Sequence, residues 1–432
     1  MAAPGVGKGR RRRPLRMLLR VVGPGLITGA ADDDPAGITT YSQAGAAFQY
    51  GLLWTALLQI PLMIGVQLTC ARIGLVSGRD LAAVLRRFYP LWLLWCVVIL
   101  LVVANTVTAA ADIAGVAAGA QLLTHVDAAV YVPIVALAIV AVLVFGSFAL
   151  LEGLLKWLTI ALFAYLAAGV LAAPAWGEVL RRTVVPGIHG SFAYLSLFVS
   201  VFGTTITPYL FVWQSGEEVD DLRNAGVAGP AARRRRGARM LGDARLDTIT
   251  GMTVSQLIGY FIIVAAGATL YPAGHRTIGT AREAALALHP IGGGAGTVLF
   301  AVGMIGTGLL AVPTLAGASA FAVAALADRP AGMSRTWRRA KAFYGAIAVS
   351  TLLAGAVAMT GTSPVQLLIG SAFLNGVLAP PLLAIVLLVA NNRAIMREHR
   401  NGWGLNALVA LSGIIMAAAS IWVGLAWLVP RL

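Results

Sequence analysis

Three consecutive acids, Asp32, Asp33 and Asp34, lie inside an otherwise apolar run and are followed at once by Pro35. An acid at bilayer depth costs at least about 2.5 to 3.5 kcal/mol, so an acid retained there marks a functional site by default. Proline interrupts a helix and leaves backbone carbonyls unpaired. A carboxylate among such carbonyls forms a set of oxygen ligands, which hard divalent cations prefer. These residues predict a cation site at Asp34.

A second apolar run, from Phe198 to Glu218, is interrupted by Gly203, Thr204, Thr205 and Pro208. Hydroxyl and carbonyl oxygens at this interruption could complete a site with the aspartate. Neither interruption has a neighbouring His, Cys or Met, so nothing there selects a soft metal. The helix breaks are therefore predicted at Pro35, Gly203 and Pro208, with Thr204 and Thr207 as oxygen donors.

The composition indicates the elements that hold these residues. The chain has 432 residues, of which 59% are hydrophobic and only 11% are charged. A soluble domain carries about 25% charged residues, so a soluble enzyme is excluded. About 20 helical residues cross a bilayer. Eleven apolar runs reach that length and predict an all-α polytopic membrane protein, with spans at 19–48, 51–76, 90–122, 129–149, 154–174, 192–219, 248–271, 294–326, 342–360, 364–391 and 404–429.

The net charge of +15 could suggest a nucleic-acid partner, but its placement indicates topology instead. The 32 Lys and Arg residues cluster in short segments between apolar runs. With residues 1–18 as a basic cytoplasmic segment, the outer segments hold only Arg181, Arg182, Arg276, Arg282 and Arg431. The positive-inside rule then predicts a multi-pass protein of the cytoplasmic membrane, with the N-terminus inside and the C-terminus outside. Membrane lipids are the expected surroundings, and nucleic acid is not a partner.

The two interrupted spans, the first and the sixth, lie five spans apart and so cross the membrane in opposite directions. Simple proline kinks would explain either one alone. A pair at matching places in two halves is typical of an inverted-repeat transporter with its site at the bilayer midplane. We expect a first repeat at 19–174, a second at 192–391 and an additional helix at 404–429.

The residues around the breaks resemble the natural resistance-associated macrophage protein (Nramp) family of divalent metal transporters. The resemblance is carried by the run from Gly23 through Asp34-Pro35 to Ala46, by Leu151-Glu152-Gly153-Leu154-Leu155-Lys156, and by Thr207-Pro208-Tyr209. It implies a LeuT-like fold of two inverted five-helix repeats plus one helix, a transported metal rather than a bound cofactor, and no enzymatic activity.

Three departures from the family's motifs concern the site. The family's Asp-Pro-Gly-Asn reads Asp34-Pro35-Ala36-Gly37, so the metal-binding aspartate remains and the asparagine ligand is absent. Its Met-Pro-His reads Thr207-Pro208-Tyr209, and a second histidine is matched by Gln214. In the third span, Asp-Leu-Ala-Glu reads Asp112-Ile113-Ala114-Gly115, so an acid thought to relay protons in relatives is absent.

These replacements favour a hard ion, because a thioether ligand is lost and fewer direct ligands leave room for a hydrated cation such as Mg²⁺. They also remove the groups that titrate near neutral pH, which argues against proton coupling. The sequence is closer to an Nramp-related magnesium transporter branch than to the manganese and iron importers. Manganese also accepts oxygen ligands and remains an alternative. The predicted metal ligands are Asp34, Ala36, Thr204 and Thr207. The residues predicted beside them or along the permeation path are Asp32, Asp33, Gly37, Asp112, Tyr209, Gln214 and Asn375.

Several assignments stay open on sequence alone. Asp112 fits a second functional acid and a structural partner equally well, and Asn375 fits a ligand or a packing residue. A sodium-coupled carrier of an organic solute shares the predicted fold, although Asp34 would repel a substrate carboxylate. An intramembrane hydrolase is disfavoured, because the sequence has no His-Glu-x-x-His and no Gly-x-Ser-x-Gly motif. Oligomeric state is not determined by the sequence.

Overall fold

A computed structural model describes residues 33–145, 159–227 and 229–428. Within these ranges the chain is nearly all helical, which confirms the predicted all-α class. Four predicted features lie outside the described residues: the basic segment 1–18, the first part of the first span with Asp32, the motif at 151–156, and the residues that join the fourth and fifth spans.

Nine helices among the described residues are long and apolar enough to cross a membrane. They confirm the second, third, fourth, sixth, seventh, eighth, ninth, tenth and eleventh predicted spans. In that order they are Leu53–Ser77, Leu91–Thr124, Ala128–Phe145, Phe192–Asn224, Met240–Thr269, Gly294–Leu326, Lys341–Ala358, Pro364–Asn391 and Trp403–Leu428.

The other two predicted spans are described only in part. The second half of the first span forms the helix Pro35–Phe48, here called the first-span half-helix. The described part of the fifth span consists of a 3-10 turn at Thr159–Phe163 and the helix Ala164–Leu171. After a bend of 117° the chain enters the amphipathic helix Trp176–Val184, which carries an exposed cluster of Glu178 with Arg181 and Arg182.

Two boundaries differ from the prediction. The seventh-span helix begins at Pro230, eighteen residues before the predicted start, and runs to Thr269. Proline suits the first turn of a helix, where its missing N–H has no intrahelical partner in any case. The arginine block at 233–236, predicted as loop, is therefore helical. The sixth span extends to Asn224 rather than to residue 219.

Short helices connect the spans. Between the second and third spans lies Leu81–Phe88, and the loop before the eighth span holds Ala281–Ala285 and the 3-10 turn Leu286–Ile291. The connection between the tenth and eleventh spans contains Arg393–Met396 and the 3-10 turn Arg397–His399.

The helices that carry the breaks lie at the centre of the bundle. Every residue of the first-span half-helix from Pro35 to Ala46 is buried. This half-helix packs mainly against the seventh and tenth spans, while the third span packs along the eighth. The fourth and eleventh spans are mostly exposed and carry large apolar side chains such as Ile134 and Ile421, as expected for helices that face lipid. Polar side chains at the breaks are thereby shielded by a ring of apolar helices.

Candidate metal-binding site

Asp34 is the N-terminal cap of the first-span half-helix. Its backbone is extended, with φ −66° and ψ 171°, and its Oδ1 accepts a hydrogen bond of 2.6 Å from the backbone N–H of Gly37. Aspartate is a preferred cap because it satisfies an N–H group that has no intrahelical partner, and Pro35 suits the first helical position. The positive end of the half-helix stabilises the ionised carboxylate. The cap therefore fixes the Asp34 carboxyl group at the break.

The break in the sixth span is two residues long. The first helix of the span ends at Thr205 and the second begins at Pro208, so Ile206 and Thr207 form the interruption. The Thr207 hydroxyl donates to the backbone carbonyls of Gly203, at 3.0 Å, and Thr204, at 2.8 Å. These carbonyls belong to the last turn of a helix, where no backbone N–H follows to pair with them. The hydroxyl proton of Thr207 is therefore engaged in hydrogen bonds within the break. The lone pairs of the hydroxyl oxygen remain available to a donor or a cation.

The two breaks meet at Thr204 and Asp34. The Thr204 hydroxyl lies beside the Asp34 carboxylate, and both residues are buried. Within the described part of the chain, Thr204 Oγ1 has no group in hydrogen-bonding geometry. Two residues separated by about 170 positions in sequence thus bring a carboxylate and a hydroxyl to the same place.

Asp112 joins this site from the third span. It is fully buried, close enough to Asp34 for the two carboxylates to interact electrostatically, and near the backbone N–H of Ala36. Neither of its carboxylate oxygens meets hydrogen-bonding geometry with any described group. A structural role would require such a partner, because an unpaired buried polar group is costly. This observation favours the functional interpretation of Asp112.

Pro35 is wedged between two glycines. A Cβ atom added to Gly115, on the third span, would lie 2.8 Å from Pro35 Cβ, and one added to Gly308, on the eighth span, would lie 3.1 Å from Pro35 Cγ. The absence of side chains at these positions lets three helices approach at the break. Gly115 stands where the family's motif has glutamate, so this chain has packing at a position where relatives have an acid.

Asp33 is also buried but faces the seventh span. Its Oδ1 accepts a hydrogen bond of 3.1 Å from Ser255 Oγ, while its Oδ2 is buried without a partner among the described residues. Adjacent residues at the start of a helix point in different directions, which explains why Asp33 and Asp34 face different helices. Asp33 therefore lies next to the site, whereas Asp34 itself caps the first-span half-helix.

A buried polar cluster follows from the sixth-span break towards the second and seventh spans. Tyr41 Oη and Thr205 Oγ1 are 2.7 Å apart, Thr205 Oγ1 lies 3.4 Å from Gln59 Oε1, and Gln256 Nε2 lies 3.5 Å from Thr205 Oγ1. The sequence analysis missed Tyr41, Gln59 and Gln256. The two glutamines are polar residues at membrane depth, as Asp34 is. That signal is present in the sequence and would have singled them out.

Ala36 does not fit the ligand role predicted for it. It lies in the first turn of the first-span half-helix, and its backbone N–H faces the carboxylates of Asp34 and Asp112. The carbonyl of a residue in a regular helix points along the axis to the N–H four residues later. Ala36 therefore offers a donor to the acids, which a cation cannot use.

Gly203 was predicted as a helix break and lies instead within the helix Phe192–Thr205. A Cβ atom there would clash with the backbone carbonyl of Ala372 and the backbone N–H of Gly376 on the tenth span. Glycine at this position serves close helix packing, a common use of small residues between membrane helices.

Three further predicted residues lie away from the direct contacts between Asp34 and Thr204. Gln214 Nε2 donates to Glu218 Oε1 at 3.2 Å, one turn further along the same helix. Asn375 Nδ2 donates to Thr108 Oγ1 at 3.0 Å, which links the tenth span to the third and leaves Asn375 Oδ1 buried without a described partner. Tyr209 is buried in the first turn after the break.

The donors that meet at the breaks are all oxygen atoms. No cluster of three or more His, Cys, Asp and Glu side chains suited to a metal occurs in the ranges that the structure describes. The buried oxygens without partners at or beside the breaks are Asp33 Oδ2, Asp112 Oδ1, Asp112 Oδ2 and Thr204 Oγ1. A hydrated cation would supply the missing partners, because its charge attracts the carboxylates and its waters can hydrogen-bond to the remaining oxygens.

The chain is similar in sequence to a family of known transporters. Residues 25–426 match the family described as natural resistance-associated macrophage protein-like (Nramp). The chain is 29% identical over 306 residues to a divalent metal cation transporter, MntH, of Acidiphilium cryptum, covering 68% of this chain and 67% of the relative. It is 29% identical over 319 residues to MntH of Yersinia pestis, covering 71% and 73%.

Solved structures share the fold. The manganese transporter of Eremococcus coleocola matches with a TM-score of 0.75 at 19% identity, covering 96% of this chain and 88% of that one. Mhp1, a nucleobase-cation-symport-1 family transporter, matches with a TM-score of 0.57 at 15% identity over 93% and 92%. These similarities confirm the LeuT-like class that the resemblance to the Nramp family implies.

Proposed function

This chain belongs to the Nramp family of transporters, which are not enzymes, and we propose that it moves a divalent metal cation across the membrane by alternating access. The ion is held between the two breaks by Asp34, Thr204 and Thr207. The observation that carries this proposal is the convergence of buried oxygens without partners around Asp34 and Asp112. A cation substrate explains why such costly groups are kept at the centre of an apolar bundle.

The ligand chemistry favours Mg²⁺ as a substrate. Thr207 offers a hydroxyl at the position where the family's motif has methionine, and Gly37 has no side-chain oxygen where the motif has asparagine. Mg²⁺ keeps several of its waters and is bound through one or two carboxylates. A site with one direct carboxylate, nearby hydroxyls and a second buried acid suits a partly hydrated ion. The relatives named as manganese transporters make Mn²⁺ the second candidate, since Mn²⁺ also accepts carboxylate and carbonyl oxygens.

We further propose that uptake is driven by the membrane potential without proton coupling. Tyr209 and Gln214 stand where the family has histidines, and Gly115 stands where it has glutamate. None of these side chains can exchange a proton near neutral pH in the way that histidine does. A divalent cation gains about 4.6 kcal/mol per 100 mV when it crosses the whole potential, which is sufficient to drive accumulation.

The orientation proposed from the positive-inside rule places the loops after the second, sixth and eighth spans in the cytoplasm. In that orientation the N-terminus is cytoplasmic, the C-terminus is outside, and the protein belongs to the cytoplasmic membrane. The test uses a variant in which Cys70 and Cys96 are replaced by alanine. Single cysteines introduced there at Arg276 and at Arg338 are labelled with a membrane-impermeant reagent in intact cells. Reaction at residue 276 alone supports the orientation, and reaction at residue 338 alone reverses it.

Proteoliposomes provide the test of substrate and coupling. We would load separate vesicles with a magnesium-sensitive dye, a manganese-sensitive dye and a pH reporter, and impose a potential that is negative inside. Asp34→Ala removes the proposed ligand. Asp243→Ala serves as the matched control, because Asp243 is an exposed acid in the seventh-span helix.

Magnesium entry that is lost in Asp34→Ala, retained in Asp243→Ala and unaccompanied by acidification is the expected result. Manganese entry with acidification and without magnesium entry would assign the chain to the second candidate, a proton-coupled manganese transporter. Equal flux in the parent and in Asp34→Ala would overturn the proposed site.

A further inference from the structure

A cavity of about 420 Å³ lies at the end of the bundle where the second, sixth and eighth spans terminate, and no residue of the helix breaks lines it. Four parts of the chain form it: the turn at Ser77–Asp80, the short helix Leu81–Phe88, the end of the sixth-span helix, and the segment after the eighth span. The charged side chains that line it include Arg79, Arg86, Arg87, Arg223, Arg329 and Arg335.

The cavity is strongly basic. Six of its lining residues are arginines and two are aspartates. The arginines come from each of the four parts of the chain, so the charge results from the folded arrangement and not from a single basic run in the sequence. The positive-inside rule accounts for basic residues in these loops, but it does not require them to converge on one cavity.

Asp80 is already engaged. Its side chain caps the helix Leu81–Phe88, with Oδ1 accepting a hydrogen bond of 2.9 Å from the backbone N–H of Ala83. This leaves the exposed Asp328 as the other acid of the cavity. Two aspartates cannot neutralise six guanidinium groups.

Two of the arginines are fixed in place by the protein. Arg223 donates to Asp220 Oδ1 at 2.7 Å and to the carbonyl of Ala331 at 2.9 Å, and Arg335 Nε donates to the same carbonyl at 3.2 Å. These contacts hold the segment after the eighth span against the end of the sixth-span helix.

The other four arginines lack an acidic partner. In the part of the chain that the structure describes, Arg79, Arg86, Arg87 and Arg329 form no ion pair. Holding like charges together in a concave site raises the local potential and attracts anions. Four free guanidinium groups facing one cavity therefore indicate an anionic ligand of high charge.

We propose that this cavity is a binding site for a phosphate-bearing anion, either a soluble polyphosphate or the headgroup of an acidic lipid. Guanidinium groups bind phosphate oxygens in bidentate pairs, and arginine is the side chain best suited to that geometry. The volume accommodates a group the size of a diphosphate together with ordered water.

The position of the site gives the ligand a mechanical consequence. Asp220 holds the segment after the eighth span through the backbone N–H groups of Met333, at 2.6 Å, and Ser334, at 3.2 Å, and it also holds Arg223. An anion bound by Arg86 and Arg329 would join the helix Leu81–Phe88 to this segment. The sixth span carries the proposed transport site and must move during alternating access. A bound anion would therefore restrict the movement of the end of this helix.

Equilibrium dialysis of radiolabelled inorganic pyrophosphate against the purified full-length protein tests the soluble arm. The variant Arg86→Gln/Arg329→Gln removes two of the free guanidinium groups, and the single variant Arg87→Gln removes one that is exposed, so that folding is not disturbed. Arg338→Gln/Arg393→Gln is the matched control, since both arginines are exposed and neither lines the cavity. The lipid arm measures the melting temperature of each protein in phosphatidylcholine vesicles with and without phosphatidic acid.

The expected result is saturable pyrophosphate binding that weakens roughly tenfold or more in the double variant, less in Arg87→Gln, and not in the control. If phosphatidic acid stabilises the parent but neither the double variant nor Arg87→Gln, and no protein binds pyrophosphate, the site is assigned to a lipid headgroup. Equal binding by all variants, or no response to either probe, overturns the proposal. Neither result depends on metal transport, so the proposal stands or fails separately from the proposed function.

Discussion

The hydroxyl of Thr207 donates to the backbone carbonyl of Thr204 at 2.8 Å, across the two-residue break in the sixth span. The same hydroxyl reaches the carbonyl of Gly203 at 3.0 Å. Helices end with carbonyls that lack a backbone partner, and inside a membrane no bulk water replaces it. One threonine thus stabilises the end of the first helix, so the geometry of the break depends on a residue that we propose as a metal ligand.

Thr207→Ala is expected to abolish most divalent cation uptake, because it removes a proposed ligand and leaves two buried carbonyls without a donor, at about 1 to 3 kcal/mol each. Thr207→Ser keeps the hydroxyl and should retain most of the transport rate. Initial rates of magnesium uptake over a range of concentrations distinguish the two variants. If Thr207→Ala and Thr207→Ser lost magnesium uptake equally, the break would require the methyl group of Thr207 rather than its hydroxyl.

Gly203→Ala should destabilise the whole bundle. The added Cβ would meet backbone atoms of Ala372 and Gly376 on the tenth span, and backbone cannot move aside as a flexible side chain can. Overpacking of this kind costs about 1 to 3 kcal/mol or more. The melting temperature of the purified protein should fall for Gly203→Ala and stay constant for Gly370→Ala, whose added Cβ has no atom within 4 Å. An unchanged melting temperature in Gly203→Ala would contradict the close approach of the two helices.

The sequence predicted the spans well because membrane thickness imposes a length and a composition that a single chain displays directly. The paired breaks implied a fold in which Asp34 and Thr204 come close together, and their roles as metal ligands stay a prediction. The carbonyl direction of Ala36, a predicted ligand, could not be obtained from the sequence, since it depends on where the helix begins. Ser255 was missed because a single small polar residue in a long apolar span has no partner that can be identified before the helices are packed. Gln59 could have been singled out by its polarity at membrane depth, but its contact with Thr205 could not.

Asp33→Asn is expected to weaken the apparent affinity for the transported cation severalfold while leaving the maximal rate closer to that of the parent. Asp33 is buried next to Asp34, and its Oδ2 has no hydrogen-bond partner among the described residues. Asparagine replaces that oxygen with an NH2 group, so it removes an acceptor for the water molecules of a hydrated ion. Asparagine is nearly isosteric and can still accept the hydrogen bond from Ser255. The KM and the maximal uptake rate are the two quantities to measure.

Ser255→Ala is the companion variant for that measurement. It removes the hydrogen bond of 3.1 Å to Asp33 but leaves the carboxylate in place, so its effect on KM should be smaller than that of Asp33→Asn. A larger effect in Ser255→Ala would mean that Asp33 matters for packing against the seventh span and not for attracting the ion.

Asp80 predicts a pH-dependent stability outside the membrane-spanning helices. Burial raises the pKa of its carboxyl from 3.8 to about 6, although the backbone N–H of Ala83 and the charge of Arg223 lower it. Because the pKa is higher in the folded protein, the contribution to stability is fully present below pH 3.8 and is lost as the pH rises through about 6. Above pH 6 the folded state carries the penalty of an ionised, buried group.

Asp80→Asn removes that penalty and keeps a good helix cap. The variant should therefore melt at a higher temperature than the parent above pH 6, and the difference should shrink as the pH falls towards 4. Asp127→Asn is the matched control, because Asp127 is an exposed aspartate that also accepts a backbone hydrogen bond at the start of a helix. A constant difference between Asp80→Asn and the parent at all pH values would show that the carboxyl does not titrate in this range.

Gly115→Glu introduces the acid that the family's motif has at this position, and the structure predicts that it will not create proton coupling on its own. The first atom of the new side chain would lie 2.8 Å from Pro35 Cβ and 3.3 Å from Met304 Cε, so Pro35 must shift. Asp34 is covalently attached to Pro35, and a shift of the break therefore displaces the proposed metal ligand. Uptake should fall without the appearance of acidification.

Gly115→Ala separates the steric part of this effect from the charge, because it adds the same Cβ without a carboxylate. Both variants should lose magnesium uptake in proteoliposomes, whereas Gly177→Ala, with open space around its Cβ, should transport like the parent. If Gly115→Glu instead transported at the parent rate and acidified the vesicle interior, the break would be flexible enough to accept a side chain. A single substitution would then be sufficient for proton coupling. The packing of Pro35 against Gly115 would not be the reason why the parent lacks coupling.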